Sequence, residues 1–147
     1  MKVNEINLEV KSGEMIGLAG MEGSGQELLH MACAGLARPV AGHLRVDGRD
    51  LTGRPYREFL ESGVAYLPAS RMEAGLVRSL SVAEHCVLAG EQKGFTIDWR
   101  AAEESARGVI ADFGIRATPS SPVESLSGGN QQRVLLGLLR ENLKLIL

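Results

Sequence analysis

Cysteine is scarce. The 147 residues hold only Cys33 and Cys86, far apart, with no CxxC spacing and no matching set of histidines. That leaves no disulfide framework and no thiolate metal centre, and both side chains read as small buried hydrophobes in a reducing compartment. Long apolar runs are lacking as well. No stretch approaches the roughly 20 apolar residues of a membrane span, and Met1-Lys2-Val3-Asn4-Glu5 leads into no signal-peptide core. An excess of one charge is also missing. Sixteen basic and eighteen acidic residues leave a net charge of -2, the basic ones are scattered, and none interleave with aromatics, so no nucleic-acid footprint is present. His30, His43 and His85 share no ligand spacing and read as solvated or packed side chains. No repeat or low-complexity tract is visible. What remains is a chain that is 44% hydrophobic, enough for one globular domain with a core, and expected to be soluble and cytoplasmic.

Taken in order, Ile6, Leu8 and Val10 alternate with polar residues, which predicts a strand with one buried face. After a Ser12-Gly13 turn, Met15-Ile16-Gly17-Leu18-Ala19 reads as a strand buried on both faces. Gly20, Gly23, Ser24 and Gly25 follow directly. Leu28, Leu29, Ala32, Cys33 and Leu36 then recur at helical spacing, with Gly35 placed to end the helix. Strand, glycine loop and helix form the context of a phosphate-binding P-loop. A dinucleotide fingerprint fails at Leu28, where close helix packing needs a small residue. The GxxGxGK[ST] pattern is followed through Gly20, Gly23 and Gly25 and then breaks. Gln26 stands at the lysine position and Glu27 at the hydroxyl position that would hold magnesium.

The alternation at His43–Asp47 and the Asp47-Gly48 turn signal indicate an antiparallel β-segment, residues 54–62 a short helix, and residues 63–68 a buried strand ended by Pro68. Ser81-Val82-Ala83-Glu84 is a capping box that opens a helix through about Leu88. Asp98 can cap a further helix, whose apolar stripe runs from Trp99 through Ala102, Ala106, Val109 and Ile110 to Phe113, with Gly114 at its end. A loop from Pro119 to Pro122 follows, and Leu143–Leu147 begins another buried strand.

The most informative stretch is Leu126-Ser127-Gly128-Gly129-Asn130-Gln131-Gln132-Arg133. Ser127 can act as an N-cap, and Val134, Leu135, Leu138 and Leu139 continue at helical spacing, so the positive end of a helix faces Ser127–Gly129. A hydroxyl, backbone N–H groups and a helix N-terminus together suit a phosphate. The string also fits an ordinary glycine-rich cap on an amphipathic helix. It resembles the signature motif of ATP-binding cassette (ABC) ATPases, and its Asn-Gln-Gln-Arg ending is similar to the variant found in bacterial sugar and nucleoside importers.

That resemblance implies an α/β fold: a P-loop NTPase core of ABC type with an antiparallel β-subdomain and a helical subdomain, truncated at both ends. Residues 1–76 would carry the P-loop core and β-subdomain, 77–140 the helical subdomain with the signature, and 141–147 the start of the Walker B strand. The Q-loop position falls on Ala69, followed by Ser70-Arg71, and alanine offers no oxygen ligand there. Walker B, D-loop and switch histidine are not in the chain, so it is expected to turn over no ATP alone. The resemblance implies ATP as cofactor, with Mg2+ poorly provided for at this P-loop. It also implies a second ABC ATPase cassette packed head to tail, transmembrane permease subunits as partners with no nucleic acid, and a place on the inner face of the membrane. In that arrangement Leu126, Ser127, Gly128, Gly129, Asn130 and Gln131 serve in trans, while Gly20, Gly23, Ser24, Gly25, Gln26 and Glu27 form a degenerate site. A Glu27 carboxylate about 4 Å from a phosphate oxygen costs on the order of 4 kcal/mol at an effective dielectric near 20. Two other readings are a non-transport ABC protein, which a long insertion or basic linker would mark, and a structural cassette without nucleotide exchange.

Overall fold

The computed structural model describes residues 5–21, 23–68, 71–90 and 96–147, without the side chains of Arg71 and Glu73. Two compact units emerge. One comprises Met1–Tyr66 with Asn142–Leu147, the other Leu67–Glu141.

In the first unit, α1 (Gln26–Cys33) follows the glycine loop. Its end is a Schellman motif: Gly35 takes φ +76°, its N–H donates to Ala32 O, and Leu36 N–H donates to Met31 O at 2.8 Å. The helix therefore stops short of Leu36. Strands β1 (Arg45–Val46) and β2 (Arg49–Asp50) pair antiparallel, Arg45 with Asp50 and Val46 with Arg49. Asp47 and Gly48 both have positive φ between them, as a two-residue hairpin turn of this twist requires. Helix α2 (Tyr56–Glu61) leads to β3 (Val64–Ala65), which pairs parallel with β4 (Leu145–Ile146). Val46, Leu51, Phe59 and Val64 form the core, with Leu44, Leu145 and Leu147 against it. Lys144 Nζ reaches Asp47 Oδ2 at 2.6 Å and ties β4 to the hairpin turn.

The two strands expected at Ile6–Val10 and Met15–Ala19 do not form. Residues 5–20 pair with no strand among the described residues, and Met15, Ile16 and Leu18 are exposed, Met15 by 96%. A strand is completed by its neighbours' hydrogen bonds. Here the backbone contact is a single local turn, Glu14 N–H to Lys11 O.

The second unit is helical. A turn at Arg71–Gly75 precedes α3 (Val82–Ala89), α4 (Trp99–Asp112), a short turn at Val123–Ser125 and α5 (Gly128–Gly137). The helix starts follow their caps. Ser81 and Glu84 make both halves of the capping box, and Asp98 Oδ1 accepts from Ala101 N–H at 3.0 Å. Helix α4 ends on Gly114 at φ +58°, with Ile115 N–H donating back to Ile110 O. Leu76, Val82, Ala106, Val123, Leu126 and Val134 lie in one core, against which Leu67 and Met72 pack. Leu67, Met72 and Leu76 thus pack with the helices of this unit. The α4 stripe is buried at Ala102 and Ala106, while its ends, Trp99 and Phe113, are exposed. The loop before α5 is clamped to the start of α3: Val123 N–H donates to Leu80 O, and Val82 N–H to Ser121 O. These bonds set where the signature begins.

Both cysteines are half-buried, and burial raises their thiol pKa values. His85 is buried, its Nε2 accepting from Val77 N–H at 3.0 Å and its Nδ1 lying 2.8 Å from Ser81 O, so both ring nitrogens serve the backbone. No helix among the described residues is long and apolar enough to cross a membrane.

Candidate functional site: two glycine loops

Each unit carries one glycine loop opening a helix. The loop of the second unit is Leu126–Gln131. Leu126 is buried and anchors the segment in the core. Ser127 takes extended backbone angles as the N-cap of α5, and its hydroxyl lies 3.5 Å from Asn130 N–H, a long contact. Gln131 turns away from solvent and donates from Nε2 to Val123 O at 3.2 Å and Leu126 O at 3.1 Å, stitching the preceding turn to the helix. Gly128 and Gly129 form the first turn. A Cβ added at Gly129 would meet nothing within 4 Å.

An open cavity of about 290 Å³ lies over this turn, lined by Arg116, Ser127, Gly129, Asn130 and Arg133. Of the six signature residues singled out in the sequence, Ser127, Gly129 and Asn130 face it. Leu126 and Gln131 support them from below. Sequence reading missed Arg116 and treated Arg133 only as part of the string. Arg133 Nη1 donates to Gly114 O at 3.0 Å, and neither guanidinium forms an ion pair among the described residues. The only advance signal for Arg133 was its helical spacing from Asn130. Arg116 comes near through the chain reversal at Gly114, which local pattern does not reveal. Two cations, a hydroxyl and a positive helix end make this cavity suited to an anion.

The loop of the first unit is different. Gly23 and Gly25 adopt φ +77° and +110°, conformations that favour glycine. Gly25 caps α1 without a side-chain hydrogen bond. Ser24 Oγ donates to Gln26 Oε1 at 2.7 Å. A Cβ built on Gly20 would collide with Ser24 Oγ and lie 2.5 Å from Gln26 Nε2 and 3.2 Å from its Cδ. Gln26 thus bends back over Gly20, and Glu27 is an exposed carboxylate in the first turn of α1. Gly20, Ser24 and Gln26 are brought together. Glu22 and Ala69, the Q-loop position, lie outside the described residues.

A glycine loop at a helix start in each unit, one of them carrying the string at Leu126–Arg133, is in keeping with the P-loop NTPase fold. The family described as ABC transporter matches residues 3–147, and the chain belongs to it. Among curated relatives, it is 33% identical over 140 residues to the uncharacterized ABC transporter ATP-binding protein YphE of Escherichia coli, covering 92% of this chain and 28% of that protein. It is 33% identical over 143 residues to the nucleoside import ATP-binding protein NupA of Lactococcus lactis, with the same coverage of each chain. A 35% identity over 140 residues links it to the ribose import ATP-binding protein RbsA 1 of Agrobacterium fabrum, covering 90% and 27%. The chain therefore spans little more than a quarter of the length of these relatives.

Proposed function

We propose that the chain is part of the ATP-binding subunit of an ABC importer for sugars or nucleosides, the second, C-terminal cassette, and that it supplies its signature loop to an ATP held by a partner cassette. Support for the transported class comes from relatives named for nucleoside and ribose import. Support for the division of labour comes from one observation. The signature turn is open beneath a cavity bearing Arg116 and Arg133, whereas in the P-loop the Gln26 side chain folds back against Gly20.

In this reading the two cassettes pack head to tail on the inner face of the membrane, against transmembrane permease subunits. Ser127 and the first turn of α5 stabilise charge on the phosphoryl group as it transfers from the partner's ATP. Preorganisation by Gln131 and Leu126 holds those donors in place, so no ordering cost falls on the transfer step. The chain's own P-loop contributes little, because Gln26 and Glu27 replace a cation and a metal-binding hydroxyl. ATP is the nucleotide at the partner's site, with Mg2+ held there rather than here. Val77 is 49% exposed, and by analogy with the family it borders the surface that receives a coupling helix of the permease.

The test is to make Ser127→Arg and Glu27→Ala separately in the complete transporter and to measure ATP hydrolysis with saturating substrate. Ser127→Arg should lower the rate roughly a hundredfold, the size of losing a preorganised donor of about 3 kcal/mol. Glu27→Ala should change it only a few-fold. Equal losses, or a larger loss at Glu27, would reverse the assignment of working and idle loops.

A further inference from the structure

We propose that Gln26 is a lock on the P-loop and not a surviving phosphate ligand. The inference rests on the reading above that this loop is the idle one, and it gives that idleness a physical cause.

At the lysine position of a working loop, a side chain must be free to donate toward phosphate oxygens. Gln26 is held within the loop: its carboxamide oxygen accepts the Ser24 hydroxyl proton at 2.7 Å, which fixes the orientation of the amide that could donate to phosphate. Its amide nitrogen lies over Gly20. Ser24 Oγ, Gln26 Nε2 and Gln26 Cδ all come within contact range of the single point where a Gly20 Cβ would stand. The Ser24 and Gln26 side chains therefore pack against Gly20, and in this proposal a phosphate seated on the loop backbone must displace them. A lysine cannot make this bond, because its ammonium has no acceptor for the Ser24 hydroxyl. The replacement of lysine thus adds a closing contact as well as removing a charge. Glu27 acts in the same direction, since its carboxylate already occupies the first turn of α1 and complements the helix dipole there.

Lock and ligand predict opposite signs for truncation. Titrating the 147-residue chain with the fluorescent nucleotide mant-ATP should show Gln26→Ala binding more tightly than the unsubstituted chain. The gain should be roughly fivefold, which is about 1 kcal/mol, the worth of one neutral hydrogen bond. Ser24→Ala breaks the same bond from the other side and should give a gain of similar size, while the double variant should gain no more than either alone. Thermal melts of each variant establish that it is folded, and Ser24→Ala carries the test where Gln26→Ala does not fold. Weaker binding by Gln26→Ala, unchanged binding by both variants, or no binding by any form would each overturn the lock. The division of labour fails separately, through the hydrolysis rates of Ser127→Arg and Glu27→Ala in the transporter.

Discussion

The two glycine loops begin alike and end differently. Each places small residues at the start of a helix, where the backbone can come close to an anion. In the signature loop the side chains that could clutter the opening are turned inward: Leu126 is in the core and Gln131 bonds to Val123 O and Leu126 O. In the P-loop, Gln26 bonds to Ser24 and packs against Gly20. The same residue type, glutamine, braces one loop and, on the proposal above, closes the other.

The largest expected effect that sharpens this contrast is at Gly129. Its position is helical and a methyl there meets nothing within 4 Å. Alanine should therefore stabilise α5, by about 0.5 kcal/mol, through a smaller loss of backbone entropy. If the open face receives a partner's ATP, the same methyl intrudes on it, and hydrolysis by the complete transporter should fall roughly tenfold as transition-state contacts loosen. A stability gain with undiminished hydrolysis would reduce the motif to a helix cap and favour the structural-cassette reading.

The next effect compares the two glutamines. Gln131→Ala removes two part-buried hydrogen bonds to backbone carbonyls, and denaturant unfolding should show a loss of about 1–2 kcal/mol. Gln26→Ala removes one exposed bond and should cost no more than about 1 kcal/mol, the lower end of the Gln131 range. Equal losses would mean that Gln26 braces its loop as Gln131 does, which would erase the difference between them.

How far the sequence reveals this arrangement depends on the range of the interactions. The helix starts at Ser81, Asp98 and Ser127 were legible because a cap bonds to the N–H three residues on, and the ends at Gly35 and Gly114 because a positive φ is a local demand. The strands read at Ile6–Val10 and Met15–Ala19 rested on alternation and apolar runs. Such patterns show what a strand could bury but not whether a neighbour pairs with it, and here none does among the described residues. Nor could the sequence show Arg116 beside Asn130, since that approach depends on the turn at Gly114. The loss of lysine at position 26 was visible at once. That its replacement would spend its acceptor on Ser24 required coordinates.

The smallest effect concerns how helix starts are held, and it separates the signature helix from α3, another capped helix of its unit. Ser127 caps α5 with a neutral hydroxyl, whereas α3 adds a carboxylate: Glu84 Oε2 accepts from Ser81 N–H and from Ser81 Oγ, both at 2.7 Å. The backbone hydrogen bond from Ser81, and then the one from its hydroxyl, hold the Glu84 pKa below its ordinary 4.5. A carboxyl with a depressed folded pKa stabilises the fold above its unfolded value, and that contribution is lost as pH falls through the lowered folded value. The capping box should therefore weaken on acidification below about pH 4.5, in the range where model carboxylates titrate. Asp47 and Asp50, whose pKa values are also lowered, titrate in the same direction, so the test is a difference. Glu84→Gln keeps an acceptor for Ser81 N–H without a charge. Its unfolding free energy should start slightly below that of the unsubstituted chain at pH 7 and fall less steeply toward pH 3. Parallel curves would show that Glu84 adds no pH dependence and that both helix starts are held, in effect, by serine hydroxyls alone.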